Sequence, residues 1–196
     1  MSKTIKMDST ALLSNLLTLT HQIKKEAEEL QLLPDLSLQM RPRSASWSIV
    51  ECIEHLNYYG YFYLPEITIK MSTAPSYPPS SIFKSGYFGN YLAKRILPKA
   101  KLNKIKAAKA MNPSNNKLDR NVLTVFIQQQ NSLIALLEQA KTVNLNRIKT
   151  STSIHQWIKL RLGDTLKLVV FHNLRHMVQI QNILVHQKLE KQNYLS

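Results

Sequence analysis

The chain has 196 residues, 44% hydrophobic and 19% charged, a globular composition long enough for one self-sufficient core. Its one cysteine, Cys52, excludes a disulfide scaffold, and its four glycines leave no phosphate-cradling or dinucleotide-binding loop. No apolar run is long enough to span a bilayer and the start lacks a signal-peptide pattern, so a cytoplasmic protein without membrane insertion is expected.

A first helix is predicted over about 10–33. Asp8 or Ser9 caps it, Leu12, Leu13, Leu16, Leu17, Ile23 and Ala27 form its apolar stripe, and Pro34 ends it. A second helix over about 46–70 opens at Ser46-Trp47-Ser48. Glu51 stands three residues after Ser48 in capping-box spacing, and Pro65 predicts a kink or an early end. Trp47 reads as a packing anchor at the helix start. The Pro- and Ser-rich stretch 72–82 reads as loop, a short helix fits Tyr87 to Leu97, and Asn112-Pro113-Ser114 is a breaker. The third long helix is predicted over about 119–141 and the fourth over about 163–190, with Asp164 or Thr165 as its cap. No alternating strand pattern or hairpin turn is visible. The prediction is an all-α four-helix bundle in a single domain, residues 1–196, with a long excursion between the second and third helices.

The net charge of +14 is unevenly placed: residues 84–120 hold ten Lys or Arg against one acid, Asp119. This stretch reads as a solvated excursion, an anion-binding patch using Lys101, Lys104, Lys106 and Lys109, or an oligomer contact such as a homodimer's. No known nucleic-acid-binding motif accompanies it, so nucleic acid is disfavoured as a partner.

Three of the six histidines are set apart by position. His172 and His176 are four residues apart in the fourth helix, so both imidazoles project from one face at a spacing that lets them share a metal ion. Their apolar neighbours Val169, Val170, Met177 and Ile180 place that face on or beside the core. His55 falls in phase with Cys52, Leu56 and Tyr59 on the second helix and supplies a third ligand from a facing helix. Hydrogen-bonded core or surface histidines are the alternative reading. His21, His155 and His186 lack such a setting. Cys52 reads as a fourth ligand or as a small buried apolar residue, and Glu51 and Gln179 as groups that orient the imidazoles or as cap and surface residues.

Trp47-Ser48-Ile49-Val50-Glu51-Cys52-Ile53-Glu54-His55-Leu56 resembles the W-S-x-x-E-x-x-x-H-L motif of the DinB/YfiT-like superfamily, a damage-inducible family distinct from the polymerase of similar name. His172-Asn173-Leu174-Arg175-His176-Met177-Val178-Gln179-Ile180 resembles its H-x-x-R-H-x-x-Q-I helix, and the resemblance runs from about Leu12 to Val185. It implies a four-helix bundle in up-down-down-up order and a divalent metal held by His55, His172 and His176. Zinc or nickel is favoured and iron compatible. It also implies thiol-dependent chemistry, such as S-transfer between a low-molecular-weight thiol and an electrophile. The alternatives are a metal-dependent hydrolase and a non-enzymatic binding or stress-response module that works through the basic stretch.

Overall fold

The structure is a computed structural model that describes residues 5–44, 46–98, 107–114, 116–155 and 157–193. Helix α1 (Ser9–Leu30) begins where the Asp8 carboxylate accepts a hydrogen bond from the Ala11 N–H at 2.7 Å. Its leucine stripe, Ile23 and Ala27 are buried as predicted, and Thr20 joins them by giving its hydroxyl to the Leu16 carbonyl at 2.7 Å. The helix stops one turn before Pro34, which instead precedes the short α2 (Asp35–Gln39).

Helix α3 (Ile49–Ser72) carries the predicted capping box: Ser48 Oγ accepts from the Glu51 N–H at 3.3 Å, and the Glu51 carboxylate accepts from the Ser48 N–H at 2.8 Å. Pro65 does not end it. It lies on the exposed side of the helix, where water can pair the carbonyl its missing N–H leaves behind. Helix α4 (Tyr87–Ile96) matches the predicted short helix. Helix α5 (Asn121–Gln139) continues into a 3₁₀ turn, Ala140–Thr142, and α6 (Leu162–Asn193) is the longest.

The long helices α1, α3, α5 and α6 form a four-helix bundle. Both α1 and α3 pack against α5 and against α6, so α1 and α3 face each other diagonally although they follow one another in the chain. The short α4 rests on α6, and α2 on α3. One buried cluster, with Leu16, Ile23, Ile53, Phe126, Leu133 and Val170 among its members, runs through all four long helices.

The expectation of no strand is corrected. Strands β1 (Lys6–Asp8) and β2 (Ile82–Lys84) pair antiparallel, as do β3 (Lys149–Ser151) and β4 (Lys159–Arg161). Each is three residues long, too short for an alternation to register as periodicity. The central residues Phe83, Thr150 and Leu160 turn inward, and Thr150 shares a 2.6 Å hydroxyl hydrogen bond with Thr165 of α6.

The basic-stretch residues Lys101, Lys104 and Lys106 lie outside the described residues. Lys109 is exposed, at the start of a 3₁₀ turn, Lys109–Met111. No helix among the described residues is long and apolar enough to cross a membrane.

Candidate metal centre

His55 projects from α3, and His172 and His176 from successive turns of α6. The packing of α3 on α6 brings the three rings together, with centroids 5.2 Å (His55–His172), 4.7 Å (His55–His176) and 4.8 Å (His172–His176) apart. Their closest nitrogens are all Nε2: His172 Nε2 lies 3.3 Å from that of His55 and 3.2 Å from that of His176. One ligand nitrogen from each ring lies within 4.8 Å of the others, and this is the one such group among the described residues.

The second nitrogen of His55 fixes its tautomer. Nδ1–H donates to the Met111 carbonyl at 2.6 Å, which leaves the Nε2 lone pair aimed at His172. One proton on His172 Nε2 cannot satisfy two facing lone pairs, whereas a cation satisfies all three nitrogens together. Imidazole nitrogens about 2.0–2.1 Å from a tetrahedral ion stand about 3.3–3.4 Å apart, close to the 3.3 and 3.2 Å that separate His172 Nε2 from its two neighbours. The donor set therefore fits a divalent ion of the zinc type.

Burial keeps the rings neutral, the state that ligates. It holds His55 below the ordinary histidine value against the opposing pull of the Met111 carbonyl. It pushes His172 down to about 3, helped by the charges of His55 and Arg175, and takes His176 well below the usual value. Gln179 acts on His176 as a hydrogen-bonding neighbour would, although no partner reaches hydrogen-bond geometry at the buried His176 Nδ1. These shifts set a pH dependence for the metal-free protein. Below about pH 6.5 the unfolded chain protonates histidines that the folded chain keeps neutral, so stability falls as pH is lowered from there. Thermal denaturation of chelator-treated protein between pH 7 and 4.5 should show this loss, and His172→Gln should lessen it.

Glu51 does not reach the imidazoles. Its carboxylate is taken up by the α3 cap and by Arg41, whose Nε donates to it at 2.8 Å. Cys52 is fully buried and stands outside the histidine group, and burial with the nearby Glu51 charge raises its thiol pKa. It is a core residue of α3 rather than a fourth ligand.

Trp47 is half-buried, its ring centroid 4.8 Å from that of His55 and 6.1 Å from that of His176. Its indole N–H donates to Ser114 Oγ at 2.9 Å. The packing-anchor reading is thus extended: Trp47 packs against the core and also walls the histidine site. With the ring half-exposed, Trp47→Ala should lower stability by about 2 kcal/mol, less than the ~3–5 kcal/mol of a fully buried aromatic; chemical denaturation checks this.

The return end of the excursion is the part of the site the motifs left unseen. Met111 holds His55 through a backbone carbonyl, and Ser114 receives both Trp47 and, through its carbonyl, Arg41 at 3.2 Å. The three histidines open onto a cavity of about 900 Å³ with apolar walls that include Leu56, Leu133 and Val169. Its polar lining includes Arg95, Gln130, Asn173 and Arg175. Asn173 Nδ2 donates to Gln130 Oε1 at 3.1 Å, which fixes two of these groups.

A search of curated proteins gives no match to this sequence. Among solved structures the fold is similar to that of YfiT from Bacillus subtilis, described as a probable metal-dependent hydrolase with an unusual four-helix bundle topology. The TM-score is 0.53 at 12% identity, over 90% of this chain and 87% of that one. The sequence model of the DinB superfamily matches residues 19–180, a span that takes in His55, His172 and His176 and most of the bundle around them. With a match over most of its length, the chain belongs to the DinB superfamily.

Proposed function

We propose that this protein is a metal-dependent thiol S-transferase in which His55, His172 and His176 hold a divalent ion, zinc or nickel being favoured. The observation that carries the reading is the convergence of three Nε2 atoms, from two facing helices, at a cavity large enough for a small-molecule substrate. An ion held by His55, His172 and His176 would supply Lewis acidity, which would favour the thiolate form of a thiol in the cavity.

The chain's own residues do the rest. Burial of the rings keeps the imidazoles neutral, and the Met111 carbonyl orients that of His55. Leu56, Leu133 and Val169 keep water away from the nucleophile. Arg95 and Arg175 place positive charge on the cavity wall, suited to an anionic thiol or electrophile. The W-S…H-L and H-x-x-R-H motifs resemble those of the superfamily as a whole, and the thiol as the nucleophile rests on the chemistry that this resemblance implies.

A second reading, hydrolysis by a water in the same position, is favoured by the description of YfiT. Metal-loaded protein offered an alkylating electrophile with and without a small thiol, and in parallel a panel of esters and amides, separates the two. Electrophile consumption that requires both metal and thiol is the expected result. Metal-dependent cleavage without thiol establishes the hydrolase instead, and inactivity of fully loaded protein in both assays overturns the enzyme reading for these substrates.

A further inference from the structure

Both ribbons set cation against cation. Lys6 stands directly opposite Lys84 in one, and Lys149 directly opposite Arg161 in the other. Like charges at directly opposed positions weaken a ribbon, and ribbons of three residues have few other cross-strand pairs to offset the loss. All four residues, together with Arg147, line a single groove of about 870 Å³. None of its lining residues is acidic, and it shares no residue with the histidine cavity. Among the described residues, none of the five cations forms an ion pair with a carboxylate.

The groove is also held in shape. Asn146 accepts from the Lys84 N–H at 2.8 Å and donates to the Ile82 carbonyl at 2.9 Å, which stitches the loop before β3 to β2. The Arg161 guanidinium donates to the Lys84 carbonyl and so links the two ribbons. Arg147 lies over the Tyr77 ring, 5.7 Å from its centroid. Ser80, Ser81 and Asn144 add uncharged hydrogen-bonding groups to the wall. Five cations brought from separate segments onto one prearranged concave surface exceed what a single carboxylate needs, and they match an anion with several charges and several acceptor oxygens.

We propose that this groove is a binding site for a phosphate-bearing small anion, distinct from the histidine centre. The like-charge ribbons are the unliganded state of that site, and the anion relieves their repulsion.

The test is calorimetric titration of the full-length, metal-loaded protein with pyrophosphate and with ADP at constant ionic strength. The comparison proteins are Arg147→Ala/Lys149→Thr, Lys25→Thr as a surface-charge control, and His176→Ala. Binding of either probe that weakens about tenfold or more in the groove variant is expected, since one charge-assisted hydrogen bond is worth about that much. It should be unchanged in Lys25→Thr and in His176→Ala, which separates it from diffuse charge and from anion capture at the histidines. Binding of pyrophosphate identifies the bare phosphates as the ligand, and binding of ADP alone identifies a nucleotide. A second readout in part needs no ligand: Lys149→Thr should melt at a higher temperature than the parent at low salt, and pyrophosphate or ADP should raise the variant's melting temperature less than the parent's. Equal affinity in parent and groove variant overturns the proposal. So does loss of binding in His176→Ala, or tight binding of a single-stranded oligonucleotide with no binding of either small probe.

Discussion

His176→Ala should remove bound metal and catalytic turnover together while leaving the helical circular dichroism intact. Even a partner that only orients a ligand is worth about 10–100-fold in metal affinity, so loss of one of three ligand nitrogens should weaken binding by about 100-fold or more. The fold should persist because its stability lies in the stripes of α1, α3, α5 and α6, and because a buried imidazole facing two others does not help the metal-free state. Metal analysis after gel filtration, turnover assays and a thermal melt on the same preparation check the three parts. Neutralising Lys101, Lys104, Lys106 and Lys109 should leave metal content unchanged and alter only salt-sensitive capture of anionic ligands. Fully active histidine variants beside inactive lysine variants would place the function in the basic stretch.

Asp164→Ala should lower stability by about 3 kcal/mol, or about 10 °C in Tm for a chain of this size. The Asp164 side chain is fully buried in the first turn of α6, where it accepts from the Ser85 hydroxyl and from the Gly86 N–H at 2.8 Å, with Lys167 Nζ 4.0 Å away. It therefore ties the corner between β2 and α4 to the last long helix. Truncation leaves two donors and a buried ammonium without their acceptor. Burial raises the pKa of Asp164 against the pull of these donors, so part of the loss is offset by no longer burying a charge, and the figure stays at the lower end for a broken buried pair. The position tolerates little rearrangement: a Cβ on Gly89 of α4 would stand 2.6 Å from the Asp164 Cβ. Urea denaturation with an unchanged m-value checks the prediction, and a loss under about 1 kcal/mol would contradict it.

What the chain disclosed about itself depended on how local each feature is. The α3 cap was readable because Ser48 and Glu51 satisfy each other within one turn, and the four-residue spacing of His172 and His176 because a helix alone fixes it. His55 is separated from them by more than a hundred residues, and its place followed from helix phase and from the motif around Trp47. Asp164 or Thr165 was expected to cap the last helix, but α6 begins at Leu162, ahead of both, and the ties of Asp164 to Ser85 and Gly86 lie across 79 and 78 residues and carry no local pattern. The Met111 carbonyl was illegible for a stronger reason: every residue has a carbonyl, and only tertiary structure decides which one meets an imidazole. Of the two effects expected of Pro65, the early end does not occur, because a proline's effect depends on whether water reaches the carbonyl it strands, and that is a matter of which side of α3 faces out.

The bond from Met111 to His55 also ties two properties that would otherwise be independent. If an ion at the three histidines requires the His55 ring in its present orientation, then ion binding also favours the segment that supplies the Met111 carbonyl, and linkage makes the effect reciprocal. Lys109 stands exposed two residues before that carbonyl, at a bond trypsin can cut. Metal loading should therefore slow cleavage after Lys109, by a factor that His176→Ala abolishes, and a chain already nicked there should release its ion faster than the intact one. Proteolytic susceptibility of the excursion then becomes a gauge of how full the centre is, readable without knowing the substrate.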